Sequence, residues 1–341
     1  MDFRPNEPLR SHSTMRLGGT ASFAVEVTNL PEIRKAVAWA EAHALPIMMI
    51  GDGSNIVWRD EGFKGLLIIN QLKRFEERQD GDDYYVTIGA GENWDSVVAR
   101  VSAKGMTGVE ALSLIPGTAG AAPVQNVGAY YQDISRVLVE VEAYDTQTKQ
   151  VVIIPKEDCQ FVYRSSRFKT TDRGRFLITA ITLHLLHKNP EPPFYASLQA
   201  YLSEHDITTY TPKTIRAAII AIRKSKLPDP SVVANNGSFF TNPFITGKQL
   251  AELLDKYEGL IYWATDDGRI KIPAAWLIEK AGFKNYHDPE TGMATWPAQP
   301  LVLVNEHATS AAQVMAFKQK VVDAVEEKFG IVLEQEPELL P

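Results

Sequence analysis

The 341-residue sequence predicts an α+β fold in three regions. Three observations carry that prediction: a β-α-β pattern before residue 70, a hairpin and a long apolar strand between residues 137 and 186, and amphipathic helices mixed with a strand after residue 211. In the first region, Phe23 to Val27 alternates as a strand, Thr28 and Asn29 can cap, and Pro31 suits a first helical turn. Ile33, Val37 and Ala40 then line one face of a helix ending before Leu45, and the apolar run Leu45 to Met49 reads as a buried strand. Leu66 to Asn70 gives a further strand. The charged stretch Lys73 to Asp83 interrupts the pattern and suggests a boundary near residue 75.

The second region restarts with the strand Tyr84 to Gly89 and a helix carrying Trp94, Val97, Val98 and Val101. Val137 to Tyr144 and Gln150 to Ile154 read as a hairpin around Asp145-Thr146-Gln147-Thr148, and Phe176 to Leu186 as another strand. Three prolines in KNPEPPFYASLQAY, residues 188 to 201, interrupt any regular element and announce an extended loop or linker. The third region starts near Thr211 with a helix whose apolar face carries Ile215, Ile219 and Ile222. A helix around Leu250 to Leu254 and the strand Leu301 to Val304 follow. Val314, Phe317, Val321 and Val325 make an amphipathic helix closed by Gly330, and the tail IVLEQEPELLP is expected to be extended.

Composition removes several function classes. The chain is 45% hydrophobic and 23% charged, ordinary for a soluble globular protein, and its longest apolar runs fall far short of the roughly 20 residues a membrane span needs. The start MDFRPNEPLRS lacks the apolar core of a signal peptide, so a cytoplasmic protein is expected. One cysteine, Cys159, excludes an internal disulfide and reads as a half-buried structural thiol. The seven histidines form no HxH or HExxH group, so no metal is expected. A net charge of −7 without a basic run argues against nucleic acid.

The most informative segment is IPGTAGAAPVQNVGAY, residues 115 to 130: uncharged and crowded with small side chains. Gly117, Gly120 and Gly128 can take φ > 0, and Ala121 and Ala122 leave backbone N–H groups unshielded, a composition suited to cradling a diphosphate. Pro116, Thr118, Gln125, Asn126 and Ala129 complete the candidate loop. A second glycine turn, IGDGSNIVW at residues 50 to 58, brings Gly51, Gly53, Ser54 and Asn55 directly after a strand. It does not complete GxGxxG, and no helical pattern follows it. Each alone reads as an ordinary turn; together they fit one extended cofactor with two phosphates.

Those two turns, with YRSSRFK at 163 to 169, KLPDP at 226 to 230 and NNGSFFTNP at 235 to 243, run in an order that resembles the UDP-N-acetylenolpyruvoylglucosamine reductase family over nearly the whole chain. The resemblance implies a vanillyl-alcohol-oxidase-like FAD-binding unit made of residues 1–74 and of 75–210 with 318–341, and a substrate domain at 211–317. It implies noncovalent FAD held between the first two domains, the third closing over the sugar nucleotide, and a monomer. NADPH would reduce FAD, and an enolpyruvyl ether of a UDP-sugar would then accept the hydride, the step that completes UDP-N-acetylmuramate for peptidoglycan, and with it cell-wall biogenesis, cell shape and division.

Reducing that double bond develops charge on the attached carboxylate, so the protein must stabilise an enolate and supply a proton. On the motif, Arg164 meets the first need, because a guanidinium is permanently charged and its fork matches a carboxylate. Arg167 has the commoner structural fate, and Tyr163 packs or touches ligand. Ser238, after Gly237, is the proton donor; serine more often caps or bonds a turn. The family ending Leu-x-x-Glu places Leu333 and Glu336 in register, with Glu338 of the Pro-Glu pair as the alternative, and the two share strand parity. Arg223 and Lys226, three apart on a helix, suit the diphosphate, although solvated charges are as ordinary. Asn242 and Glu306 are further substrate candidates, and Tyr195 matches the tyrosine that one subclass folds over its substrate as a lid. A related flavin oxidase acting on an alcohol or lactone is the alternative enzyme, and a sugar-nucleotide-binding protein without catalysis the alternative outside enzymes.

Overall fold

A computed structural model describes residues 1–265 and 268–341, and the chain divides into two compact units. The first comprises Met1–Glu7, Ala21–Gly53 and Phe63–Ser225; the second comprises Pro8–Thr20, Ser54–Gly62 and Lys226–Pro341.

The first unit is built on two sheets. One has the order Arg4–Pro8, Thr20–Val27, Phe63–Asn70, Ile47–Ile50, and its last three strands run parallel. Helix α1, Leu30–Ala42, makes the crossover, with Asn29 accepting the Glu32 N–H as its cap. The second sheet is antiparallel in the order Gln150–Pro155, Leu138–Asp145, Phe176–His187, Asp83–Gly89, Phe75–Asp80. Helix α2, Trp94–Ala103, covers it and buries Trp94, Val97, Val98 and Val101 as the periodicity predicts. Tyr144 and Leu177 of the second sheet share a core with Val25, Ile33 and Leu66 of the first, which binds the two sheets into one body.

Two expectations about local structure change. The charged stretch after Lys73 is not a break: Phe75–Asp80 is an edge strand, five of its six residues exposed, and charges on such an edge keep its unpaired side from templating another strand. The Pro-rich segment is a loop only as far as Tyr195, beyond which α3, Ala196–Glu204, and α4, Pro212–Lys226, pack Leu198 and Leu202 against Ile215, Ile219 and Ile222.

The second unit carries an antiparallel sheet in the order Asn235–Ser238, Gln299–Asn305, Met293–Trp296, His287–Asp288. After α5, Gly247–Lys256, helices α6, Ala274–Lys280, and α7, Ala311–Phe329, join its core. The long helix opens on a Ser310–Gln313 capping box, with Asp60 accepting the N–H groups of Ala311 and Ala312, and closes at Gly330 with φ +64. The tail is extended, and its strand Glu338–Leu340 runs parallel to Ile56–Trp58.

Candidate functional site

In the first unit the two glycine-rich turns converge. A Cβ on Gly51 would stand 2.2 Å from Thr118 Oγ1, so the turn and the loop touch with no room for a side chain between them. Gly53 at φ +66 and Gly117 at φ +121 use the freedom expected of them. Gly120 does not: a Cβ there would lie 2.5 Å from that of Ala90, and its N–H donates to Ala90 O at 2.9 Å, so close packing on the sheet is what requires glycine. The start of the loop is tied to the entry of α2, with Trp94 N–H donating to Gly117 O at 3.0 Å and Ala119 N–H to Glu92 O at 2.8 Å. Ala121 and Pro116 are exposed while Ala122 and Thr118 are buried, and Gln125 is half-buried. Asn126, at φ +48, donates to Val162 O and accepts from Ser135 N–H, stitching the loop to the YRSSRFK segment.

The loop ends in a tight hairpin, Gly128–Ala129 against Gln132–Asp133, whose turn residues Tyr130 and Tyr131 have φ +50 and +67. Bulky residues adopt that region only when the surroundings impose it. Tyr195 stands edge-on to both, with centroids at 5.5 and 5.0 Å. Arg164, itself at φ +55, donates from Nη2 to Gly128 O at 2.7 Å and lies 5.4 Å from the Tyr163 ring. Arg223 neighbours Tyr130, Asp95 and Arg164. Burial pulls its pKa below the usual arginine value, with Tyr130 and Asp95 opposing, and no acceptor reaches its buried Nε. Burial also raises the pKa of Tyr130 and of Tyr195. Arg164, Arg223, Tyr163 and Tyr195, named from separate motifs, therefore meet Tyr130 and Tyr131 at one end of the small-residue loop. Arg167 is structural, bonded to Asp172 at 2.7 Å and to Asp158 O.

Sequence reasoning missed two carboxylates that shape this loop. Glu110, 1% exposed, accepts from Thr107, Gly108 N–H and Gln132. Asp95 accepts from Leu114 N–H and from Arg216. Both are acidic residues beside apolar ones, which their spacing alone marks as helix surface.

In the second unit Ser238 ends the strand Asn235–Ser238, directly after Gly237 at φ +69. The tail passes alongside: Thr241 N–H donates to Glu334 O at 2.9 Å and Glu336 N–H to Phe239 O at 3.0 Å, about a bridge between Phe240 and Gln335. Glu336 is 9% exposed. Glu338 lies one step further, its N–H donating to Asn55 O at 2.9 Å. Ser54 O receives the amide of Asn236, as does Ile56 O. Asn242 Oδ1 caps α6 by accepting from Ala274 N–H at 2.9 Å, and Lys226 is exposed at the end of α4. Glu306 pairs with His287 Nδ1 at 3.0 Å on the wall of a cavity of about 450 Å³ that Arg16 and Trp296 also line.

A family model described as an FAD binding domain matches residues 21–153, and with two glycine turns in contact inside that span it defines the class, an FAD-containing oxidoreductase. A second, described as the UDP-N-acetylenolpyruvoylglucosamine reductase C-terminal domain, matches residues 229–340. A UDP-N-acetylenolpyruvoylglucosamine reductase of Cupriavidus pinatubonensis is 37% identical over 339 residues, covering 99% of each chain. The reductase of that name from Alcanivorax borkumensis is 41% identical over 335 residues, covering 96% of this chain and 94% of its own. The chain belongs to the UDP-N-acetylenolpyruvoylglucosamine reductase family. The crystal structure of the Thermus caldophilus UDP-N-acetylenolpyruvylglucosamine reductase shares the fold, with a TM-score of 0.67 at 21% identity over 100% of both chains.

Proposed function

We propose that the protein catalyses the NADPH-dependent, FAD-mediated reduction of UDP-N-acetylglucosamine enolpyruvate to UDP-N-acetylmuramate, a step of peptidoglycan precursor synthesis. The observation that carries the reading is 37% identity, along 99% of the chain, to an enzyme of that name, joined to the meeting of Arg164, Arg223, Tyr130 and Tyr195 at the end of the loop. FAD would be held where the two glycine turns meet at Gly51 and Thr118, although the N–H groups of Ala119, Gly120, Ala121 and Ala122 already bond within the protein, and once reduced it would supply the hydride.

The remaining chemistry falls to side chains. Arg164 is held by Gly128 O and by its own strained backbone, so it meets the substrate carboxylate already oriented, and little reorganisation is needed as charge develops there. Arg223, whose Nε is dry and unsatisfied, gains an acceptor when an anionic group of the substrate binds, and Lys226 adds charge from the end of the same helix. Ser238 gives the proton to the carbon next to the carboxylate. Glu336, buried in the tail, supplies a hydrogen bond to the enolate. Support for this pairing is the hydrogen bond from Glu336 N–H to the residue that follows Ser238. Tyr195 excludes water from the anion.

A cytoplasmic, monomeric enzyme belongs to the same reading; no described helix is long and apolar enough to cross a membrane. Anaerobic mixing with NADPH should bleach the flavin, and subsequent addition of the enolpyruvyl UDP-sugar should restore its colour. A colourless protein that takes up no FAD, or a bleached one that the UDP-sugar leaves reduced, would overturn the assignment.

A further inference from the structure

Asp95 occupies the first turn of α2, and its carboxylate is the meeting point of three donors. Oδ1 accepts from Leu114 N–H at 2.5 Å and from Arg216 Nη1 at 2.6 Å, while Oδ2 accepts from Arg216 Nη2 at 2.9 Å. The two-pronged contact with Arg216 is the geometry in which a guanidinium restrains its partner in direction as well as distance. Burial pushes the Asp95 carboxyl up, but the Arg216 fork and the Leu114 N–H outweigh it and hold the group below the usual carboxylate range. The pair is therefore ionised at neutral pH.

What it holds is unusual. Leu114 has φ +58, a conformation a γ-branched residue does not choose for itself, and it is the last residue before the loop at 115–130. At the other end, Arg216 is seven residues before Arg223 on α4, two helical turns or about 10 Å along one face. Arg223 lies against Tyr130, the residue that closes the same loop. Asp95 thus fixes where the loop begins, and the helix it grips reaches the place where the loop ends.

We propose that Asp95 and Arg216 are positioning residues that couple the cofactor loop to the substrate cation Arg223, so that a sugar nucleotide bound at Arg223 tightens the hold on FAD. This rests on the functional reading above. The loop and α4 share one ionic anchor, so a ligand that immobilises Arg223 restrains α4, and through Asp95 restrains the Leu114 end of the loop; by linkage, FAD strengthens sugar-nucleotide binding by the same factor. Neither residue is assigned contact with either ligand.

The test uses the holoenzyme and reads flavin release, not turnover. Diluted protein is followed by the rise in flavin fluorescence, with and without saturating UDP-N-acetylmuramate. In the unsubstituted protein the nucleotide should slow release at least fivefold. In Asp95→Asn and in Arg216→Gln the slowing should shrink below twofold, and Arg216→Lys, which keeps charge but not the fork, should fall between. Thermal midpoints measured alongside separate this from general unfolding: a variant with a lowered midpoint and an unchanged slowing factor shows the contact to be structural only and overturns the coupling. So does an unsubstituted protein whose release the nucleotide does not affect. A protein that binds no flavin at all overturns the functional reading itself and the coupling with it.

Discussion

Glu336 and Phe239 are joined by a backbone hydrogen bond of 3.0 Å, which sets the buried tail glutamate beside the residue that follows Ser238. Glu338, of equal strand parity, bonds Asn55 O instead. The two residues therefore have different backbone partners, and substitution separates their roles. Glu336→Gln keeps size and a donor but cannot act as an acid, and it should slow flavin reoxidation by the enolpyruvyl substrate by about 10²-fold or more while substrate still binds. Glu338→Gln should stay within about threefold of the parent. Single-turnover mixing measures both, and a crippled Glu338 variant beside an active Glu336 variant would reverse the assignment.

Ser238→Ala removes the proposed proton donor alone. Flavin reduction by NADPH should remain near the parent rate, and reoxidation by the UDP-sugar should fall by roughly 10²–10⁴-fold, the range for loss of a positioned acid. Equal slowing of the two half-reactions would refute the role.

The two loop glycines should fail in different ways. Gly51→Ala drives a methyl into Thr118 Oγ1 and should cost flavin affinity by separating turn from loop, with partial recovery in the Gly51→Ala, Thr118→Ala double variant. Gly120→Val collides with Ala90 instead and should destabilise the fold by about 1–3 kcal/mol, the usual penalty of overpacking. Flavin content and thermal midpoint, measured together, tell the cases apart; a Gly120→Val protein of parental stability would contradict the packing argument.

Asp145 gives an acid-range prediction. The Arg175 fork, at 3.0 and 2.8 Å, outweighs burial and, with the Gln147 N–H, lowers its pKa from 3.8 to about 2. A depressed folded-state pKa stabilises above the unfolded value, and that contribution disappears as the pH falls from 3.8 through about 2. Asp145→Asn should lose on the order of 2 kcal/mol at pH 7, and its urea midpoint should converge on that of the parent near pH 2. Two midpoints equally far apart at pH 7 and pH 2 would count against it.

Burial pushes the Cys159 thiol up to about 12, and the residue is fully enclosed. The native protein should resist thiol reagents at pH 8 and yield one reactive thiol once denatured. Rapid labelling of the folded chain would show the site to be open.

Much of this architecture could be read before any coordinates, because it rests on signals local in sequence. The cap at Asn29, the apolar stripe of α2, the stop at Gly330 and the glycines at 53 and 117 each report a requirement of their own few residues. What escaped depends on distant partners. Phe75–Asp80 is a strand because Asp83–Gly89 lies beside it, and α3 follows its prolines because α4 supplies the other half of a small core. Leu114 and Asp95 are nineteen residues apart, and Asp95 and Arg216 more than a hundred; periodicity is silent about such pairs. That Gly120 answers to Ala90 is a distant pairing of the same kind.

The turn at Tyr130 and Tyr131 sets stability against reactivity. A two-residue hairpin turn of this hand accepts asparagine or glycine with ease, and each tyrosine in it carries a conformational penalty of about 1–2 kcal/mol that the rest of the first unit must absorb. Selecting variants for heat resistance would therefore be drawn to this turn early. A glycine at 131 would harden the fold and, by the same stroke, take away one of the rings that seat Tyr195, so the most thermostable descendants of this chain should be those that hold their substrate least firmly.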